Sequence, residues 1–338
     1  DRASACALAS AWRRPRRLPA PRLSPDRAQC LRTGECLAKA AAPACTVAER
    51  GAQAPILPLG EADLRGALAL SASAQWNQNE ADWRMLLALG QGWGIHAAGP
   101  DGREQLAAST VVLPYGGAFA WVSMVLVLPE FQRRGYARRL LRHALGLLSA
   151  RGMPALLDAT PAGQPVYLQE GFRATWGFAR YRRESGKAQP AQGRSPRTRP
   201  LRDSDWPAID AIDTPAFGAS RLPLLRTLAH RLPQAARVLE QGGRLRGFVL
   251  GRDGREASQI GPLVADDDAA ALDLIGDVLR DLPGSVYLDL LDLRLALLPW
   301  LQQQGFAFQR PFARMVHAGP GAPGDNGALI LVAGPELG

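Results

Sequence analysis

The 338-residue chain is almost without lysine: only Lys39 and Lys187 contribute to its 40 basic residues. The formal net charge of +9 would ordinarily raise nucleic-acid binding. Here the arginine excess accompanies abundant alanine, glycine and proline, and much of it sits in the N-terminal residues and one internal stretch. It reads as a codon-composition bias, and nucleic acid is not an expected partner. The four cysteines, Cys6, Cys30, Cys36 and Cys45, match no zinc spacing. The rest of the chain has no cysteine to cross-link, which fits a reducing cytosol and gives a cytoplasmic expectation. No apolar run approaches the ~18 residues of a membrane helix. His96, His143, His230 and His317 are scattered, so no metal site is expected.

The stretch Ala120–His143, AWVSMVLVLPEFQRRGYARRLLRH, organises the rest. Its apolar, β-branched start predicts a strand, which Pro129 stops because it cannot donate to a ladder. Leu140, Leu141, Ala144, Leu145 and Leu148 recur at helical spacing. Between them lies Gln132-Arg133-Arg134-Gly135-Tyr136-Ala137. Gly135 is expected to turn the backbone where a Cβ would crowd, and the small Ala137 admits a ligand close to the main chain. The unpaired first-turn N–H groups and the positive helix end favour a phosphate or pyrophosphate. Arg133, Arg134 and Arg138 add positive charge.

Strand, proline, then Gln-x-x-Gly-x-Ala resembles the acetyl-coenzyme-A loop of the GNAT N-acetyltransferase superfamily. The dinucleotide pattern needs three glycines, and the Gly-Lys-Ser/Thr ending of a P-loop is absent. A second motif follows about 30 residues later. After a strand (155–158), Thr160-Pro161 reads as a helix cap with proline at the first helical position. Tyr167-Leu168-Gln169-Glu170-Gly171-Phe172 then resembles the GNAT segment whose tyrosine protonates the leaving thiolate.

Residues 1–52 lack a clear period and are expected to be a disordered extension, or upstream sequence read as protein. Residues 55–60 predict a strand and 61–72 a helix. Asn77 and Glu80 suggest a capping box for a helix running to Leu89. Two strands follow (93–97 and 105–113), joined by the turn Gly99-Pro100-Asp101-Gly102. After the loop strand, its helix, the next strand and the Tyr167 helix, residues 178–183 form a closing strand. This order is the GNAT order. The fold class expected is α/β (α+β): two tandem GNAT-like folds, each a mostly antiparallel mixed sheet flanked by helices.

Residues 185–200 have linker composition, separating a unit at 53–184 from a second at 201–335. The second is predicted to hold helices at 203–212 and 222–232, and strands at 236–240 and 245–251. It also holds an internal repeat. Gly305–Arg314 matches Gly171–Arg180 without a gap, and Pro299 falls at Pro165. At the same offset Leu301 stands where Tyr167 would, and Asp266, Asp267 and Asp268 replace the loop residues. Those acids suit a helix N-terminus but would repel a pyrophosphate. The second unit therefore resembles a GNAT fold that has lost coenzyme A binding. Residues 321–327 read as a flexible connector and 328–333 as an edge strand.

The resemblance implies acetyl-CoA as cosubstrate, without a metal. Backbone groups of Val125, Leu126 and Val127 would hold the pantetheine. The loop from Gln132 through Arg138 would hold the pyrophosphate, with Thr160 where many relatives have asparagine. An amine would attack the thioester, a strand N–H would stabilise the oxyanion, and Tyr167 would act as general acid. Trp76 and Asp82 fall where the family builds its acceptor pocket; a core-capping indole and a first-turn acid fit them equally. Glu80, Asp82, Asp158 or a water relay could supply the base, and none is assigned. The expected function is N-acetyl transfer to a primary amine of a small molecule or peptide. The alternative is a non-catalytic coenzyme-A-binding regulator. Acceptor and oligomeric state are not legible.

Overall fold

The structure, a computed structural model, describes residues 54–186, 195 and 197–338. The expected extension at 1–52, and residues 187–194 and 196 of the expected linker, lie outside the described residues.

The first unit runs β1 (Ile56–Pro58), α1 (Leu64–Ser73), α2 (Glu80–Leu89), β2 (Gln91–Ala98), β3 (Glu104–Tyr115), β4 (Phe119–Val127), α3 (Tyr136–Ser149), β5 (Ala155–Ala159), α4 (Gln164–Gln169) and β6 (Arg173–Arg183). The apolar spacing read from sequence buries Leu140, Leu141, Ala144 and Leu148 on one face of α3. The cap of α2 lies two residues later than expected. Asn79 accepts from the Asp82 N–H at 3.1 Å, and the Asp82 carboxylate accepts from the Asn79 N–H at 2.9 Å. Asn77-x-x-Glu80 and Asn79-x-x-Asp82 are equivalent frames locally. Tertiary contact decides between them: Asn77 Oδ1 instead accepts from the N–H groups of Glu256 and Ala257.

The second unit runs β7 (Thr198–Pro200), α5 (Trp206–Phe217), α6 (Leu222–Arg231), β8 (Arg237–Gln241), β9 (Arg244–Arg252), β10 (Ser258–Ala265), α7 (Asp268–Asp281), β11 (Val286–Leu291), α8 (Leu298–Gln303), β12 (Phe306–His317) and β13 (Leu329–Leu331). Residues 198–200, expected in the linker, instead pair with β8 at the end of the sheet.

All described strands join in one sheet, in the order β1-β2-β3-β4-β5-β12-β6-β11-β13-β10-β9-β8-β7. The strand expected to close the first unit, β6, does not lie beside β5. Strand β12 of the second unit lies between them, antiparallel to both, while β6 pairs with β11. Each unit thus lends its last long strand to the other.

Two buried ion pairs mark the exchange. Arg314 of β12 stands opposite Asp158 of β5 and meets it through two hydrogen bonds of 2.9 Å. Arg180 of β6 stands opposite Asp289 of β11 and meets it at 2.8 and 2.7 Å. The Arg314 guanidinium also lies 4.4 Å from the Trp121 ring centroid and 4.1 Å from that of Trp176. Fork-on-carboxylate geometry with aromatic faces suits arginine and not lysine. The core is shared as well: Tyr115, Phe119 and Trp121 of the first unit pack around Phe217 of α5.

Strands β10 and β11 pair in parallel along Ser258–Ile260 and Val286–Leu288, then part. Strand β13 fills the gap, with Leu331 opposite both Leu263 and Leu290. The expected edge strand is therefore an interior one. Gly261 makes room for it: a Cβ there would lie 2.1 Å from the Val332 carbonyl oxygen. Expectation from a polar, glycine-rich approach failed because the apolar run Leu329-Ile330-Leu331 found a slot instead of an edge.

Removing one member of a buried pair leaves the other charge uncompensated. Arg314→Met should therefore lower unfolding stability by about 3–5 kcal/mol, read by urea titration; a loss below 1 kcal/mol would mean the pair does not hold the exchange.

Candidate functional site

The other parting of parallel strands is open. Strands β4 and β5 pair only at Ala120–Ala155 and Trp121–Leu156. Just beyond, β4 bulges against β3 between Ser109 and Val111, and Met124 adopts a left-handed conformation (φ 52°). Ser109 Oγ donates to the Met124 carbonyl at 2.8 Å and holds the bulge. A bulge of this kind re-aims backbone groups and is common beside functional sites. No composition signal announced it, because Met124 is neither glycine nor asparagine.

After β4, Pro129–Phe131 form a 3-10 turn and the loop enters α3. Arg133 (φ 61°) and Gly135 (φ 80°) are both left-handed, and Gly135 caps the helix. The first helical bond closes from the Arg139 N–H to the Gly135 carbonyl at 3.0 Å, so the amides before it face outward from the helix end. Such alternation builds an anion-binding concavity. Gly135 serves it differently from the expectation: a Cβ would meet nothing within 4 Å, so the positive φ rather than crowding calls for glycine.

The loop side chains divide. Arg133 and Gln132 are exposed, and Gln132 reaches the Val127 carbonyl at 3.4 Å. Arg134 lies over Phe131 and donates to the Glu130 carbonyl. Arg138 pairs with Glu170 at 2.8 Å. Tyr136 is buried against Phe131, so its ring belongs to the core and only its backbone belongs to the loop. Ala137 is half-buried.

A cavity of about 120 Å³ lies where β4 and β5 separate. Val125, Thr160 and Tyr167 line it; Leu126 and Val127 are not among its lining residues. Thr160 caps a turn rather than the helix: its Oγ1 accepts from the Gly163 N–H at 3.3 Å, and α4 starts at Gln164. Tyr167 packs edge-on against Phe172, and burial pushes its hydroxyl up to about 12.

Trp76 lines the cavity and Asp82 does not. Asp82 is buried in ion pairs with Arg231 (2.5 Å) and Arg252 (3.1 Å). Glu80 sits outside, pairing with Arg84 at 2.7 Å. Of the three carboxylates considered as base, Asp158 alone lines the cavity. Burial pushes it up to about 6, an effect the Arg314 guanidinium only partly offsets.

The second unit supplies cavity residues that sequence reasoning missed: Arg310 and Phe312 from β12, and Glu336 beyond β13. The segment carrying Glu336 is pinned to the first unit. Trp121 Nε1 donates to the Pro335 carbonyl at 3.0 Å, and the Tyr115 hydroxyl donates to the Leu337 carbonyl at 2.6 Å. Burial raises the Glu336 pKa, but Arg252 and Arg180 override that and hold it below the ordinary glutamate range. Only the exchange brings Arg310 and Phe312 here, and no local pattern encodes it.

In the second unit the matching elements are occupied. Asp267 caps α7, accepting from the Ala270 N–H at 2.8 Å. Asp266 pairs with Arg246 and Asp268 with Arg294. Among the described residues no group of three histidine, cysteine or acidic side chains could hold a metal ion, and no helix is long and apolar enough to cross a membrane.

Comparisons agree with this architecture. Two family models, each described as an acetyltransferase (GNAT) domain, match residues 96–174 and 209–331. The uncharacterized N-acetyltransferase YitH of Bacillus subtilis is 24% identical over 252 residues, which cover 74% of this chain and 87% of that protein. A candidate acetyltransferase of Pyrococcus horikoshii superposes with a TM-score of 0.68 at 18% identity, over 84% of this chain and 95% of that one. A tandem GNAT protein from the clavulanic acid biosynthesis pathway superposes with a TM-score of 0.58 at 17% identity, over 79% and 99% of the two chains. These structural likenesses show the fold.

The pKa of Asp158 gives a signed expectation. Its native value lies above the 3.8 of a free aspartate. The stability it contributes is thus present below about pH 4 and lost as pH rises through about 6. Its carboxyl carbon resonance should titrate with a midpoint near 6 and move higher in Arg314→Met; a midpoint near 4 would mean the group is solvated.

Proposed function

The chain belongs to the GNAT acetyltransferase superfamily as two such domains in tandem, and on that premise we propose that its first unit transfers acetyl from acetyl-CoA to a primary amine. The observation that carries this reading is the cavity holding Tyr167 beside the bulged β4, a strand that leads directly into the concave loop at 133–138. The residues present fit the cosubstrate. Outward amides at 133–138 suit a pyrophosphate, and Arg133, exposed beside them, adds charge. Backbone groups of Val125 and its neighbours, freed where β4 leaves β5, suit the amides of a pantetheine arm.

Acetyl-CoA supplies the activated acyl group. The chain's part is to place the amine, meet charge and move a proton. Backbone N–H groups at the Met124 bulge are suited to the charge that develops on the carbonyl oxygen. Tyr167, held protonated at neutral pH by burial, gives its proton to the leaving sulfur. Asp158 lies in the same cavity with a pKa near the range a general base needs. Both its oxygens are engaged by Arg314, so a water between it and the amine completes the proposed route.

The second unit is proposed as a scaffold. Its corresponding gap holds β13, and Asp266–Asp268 occupy the loop position.

Two substitutions test the reading. Tyr167→Phe should slow turnover by about 10²- to 10⁴-fold with acetyl-CoA affinity retained in calorimetry. An unchanged rate would remove the acid assignment, and binding without any turnover in the wild type would favour the non-catalytic regulator. Gly135→Glu adds a strained φ and a repelling charge at the concavity, so it should abolish acetyl-CoA binding; binding that survives it would move the cosubstrate away from this loop.

A further inference from the structure

Among the described residues four charged side chains line the cavity, and three of them stand in ion pairs. Asp158 is gripped by Arg314 and Arg180 by Asp289, and Glu336 pairs with Arg252 through Oε1 while its Oε2 is buried without a partner. Arg310 differs. Among the described residues it makes no hydrogen bond or ion pair with another side chain; its contact is with the Phe312 ring, 5.3 Å away. Its Nε is buried without a partner.

The placement of Arg310 is costly. It stands directly across from Arg180 on the neighbouring strand, and like charges opposite one another are unfavourable. Burial and Arg180 together lower its pKa. The nearby carboxylates, Asp289 and Glu336, are already held by other arginines. A bulge in β12 between Phe308 and Arg310 sets it on the face that carries Phe312 and Arg314.

The fold itself does not ask for an arginine there. In the internal repeat Arg314 matches Arg180 and Phe312 matches Phe178, so those positions are fixed by the exchange. The repeat mate of Arg310 is Trp176. A half-buried cation with a spare planar fork, in the cavity where the amine must sit, fits an anionic group brought by the substrate.

Resting on the transferase reading above, we infer that the acceptor is a primary amine that also bears a carboxylate, which the Arg310 guanidinium binds in the cavity that also holds Tyr167. The specificity of the first unit is then written on a strand lent by the second.

The test uses the full chain. Acetyl-CoA binding is first measured by calorimetry. The common amino acids are then compared as acceptors with their carboxamides, which keep the amine and lose the negative charge. Wild type should favour the carboxylates in kcat/KM by roughly 10- to 100-fold, the worth of a charge-assisted hydrogen bond. Arg310→Met should erase that preference mainly through KM, while the acetyl-CoA affinity and melting temperature hold; Arg310→Lys should restore part of it. Equal use of both series, preference for the amides, or no turnover of any carboxylate by protein that binds acetyl-CoA would overturn the inference while leaving the binding reading intact. Failure to bind acetyl-CoA at all would overturn the transferase reading and this inference with it.

Discussion

Everything in this molecule depends on two arginine–aspartate pairs that cross the exchanged strands. Arg314 on Asp158 and Arg180 on Asp289 are each bidentate, with the side chains buried. Apolar residues of similar volume could serve stability as well. What the charges add is register. Every side chain on a strand changes face with a slip of one residue. A slip of β12 against β5 would bury two charges without partners, so the pairs select one alignment of β5, β12, β6 and β11 from those the apolar pattern permits. That alignment places Phe312 and Arg310 in the first unit's cavity.

The same fold is used twice with opposite outcomes. Both units contain parallel strands that pair briefly and part. In the first, the gap borders a cavity lined by side chains of both units. In the second, β13 closes it, passing Gly261 where any side chain would strike the Val332 carbonyl. Beyond β13 the same segment reaches the first unit and delivers Glu336 beside Arg252. Filling one slot and furnishing the other are two ends of a single stretch of chain.

Much of the fold was legible because it is local. The period of α3, the strand that Pro129 stops and the Gln-x-x-Gly-x-Ala entry to the helix each follow from a few consecutive residues. Tyr167 and Thr160 were found by motif, and both line the cavity. The misses share a cause. Asn77 and Asn79 offer equal caps, and only the contact of Asn77 with Ala257, 180 residues away, separates them. The sequence of β6 says strand but not which neighbour. The repeat did place Arg180 and Arg314 in register, which hinted at equivalent roles; it carried nothing about their being exchanged. Asp82 looked like a pocket acid because its partners, Arg231 and Arg252, lie in the other unit.

The exchange also fixes the order in which the chain can mature as it is made. The edge of β5 finds its partner only in residues 306–317, after β6 to β11 have been synthesised. Until then the first unit carries an unpaired strand edge and a buried-to-be Asp158 that is still in water. Open edges invite pairing with other chains. The native sheet of the first unit is therefore completed only when β12 of the second is available.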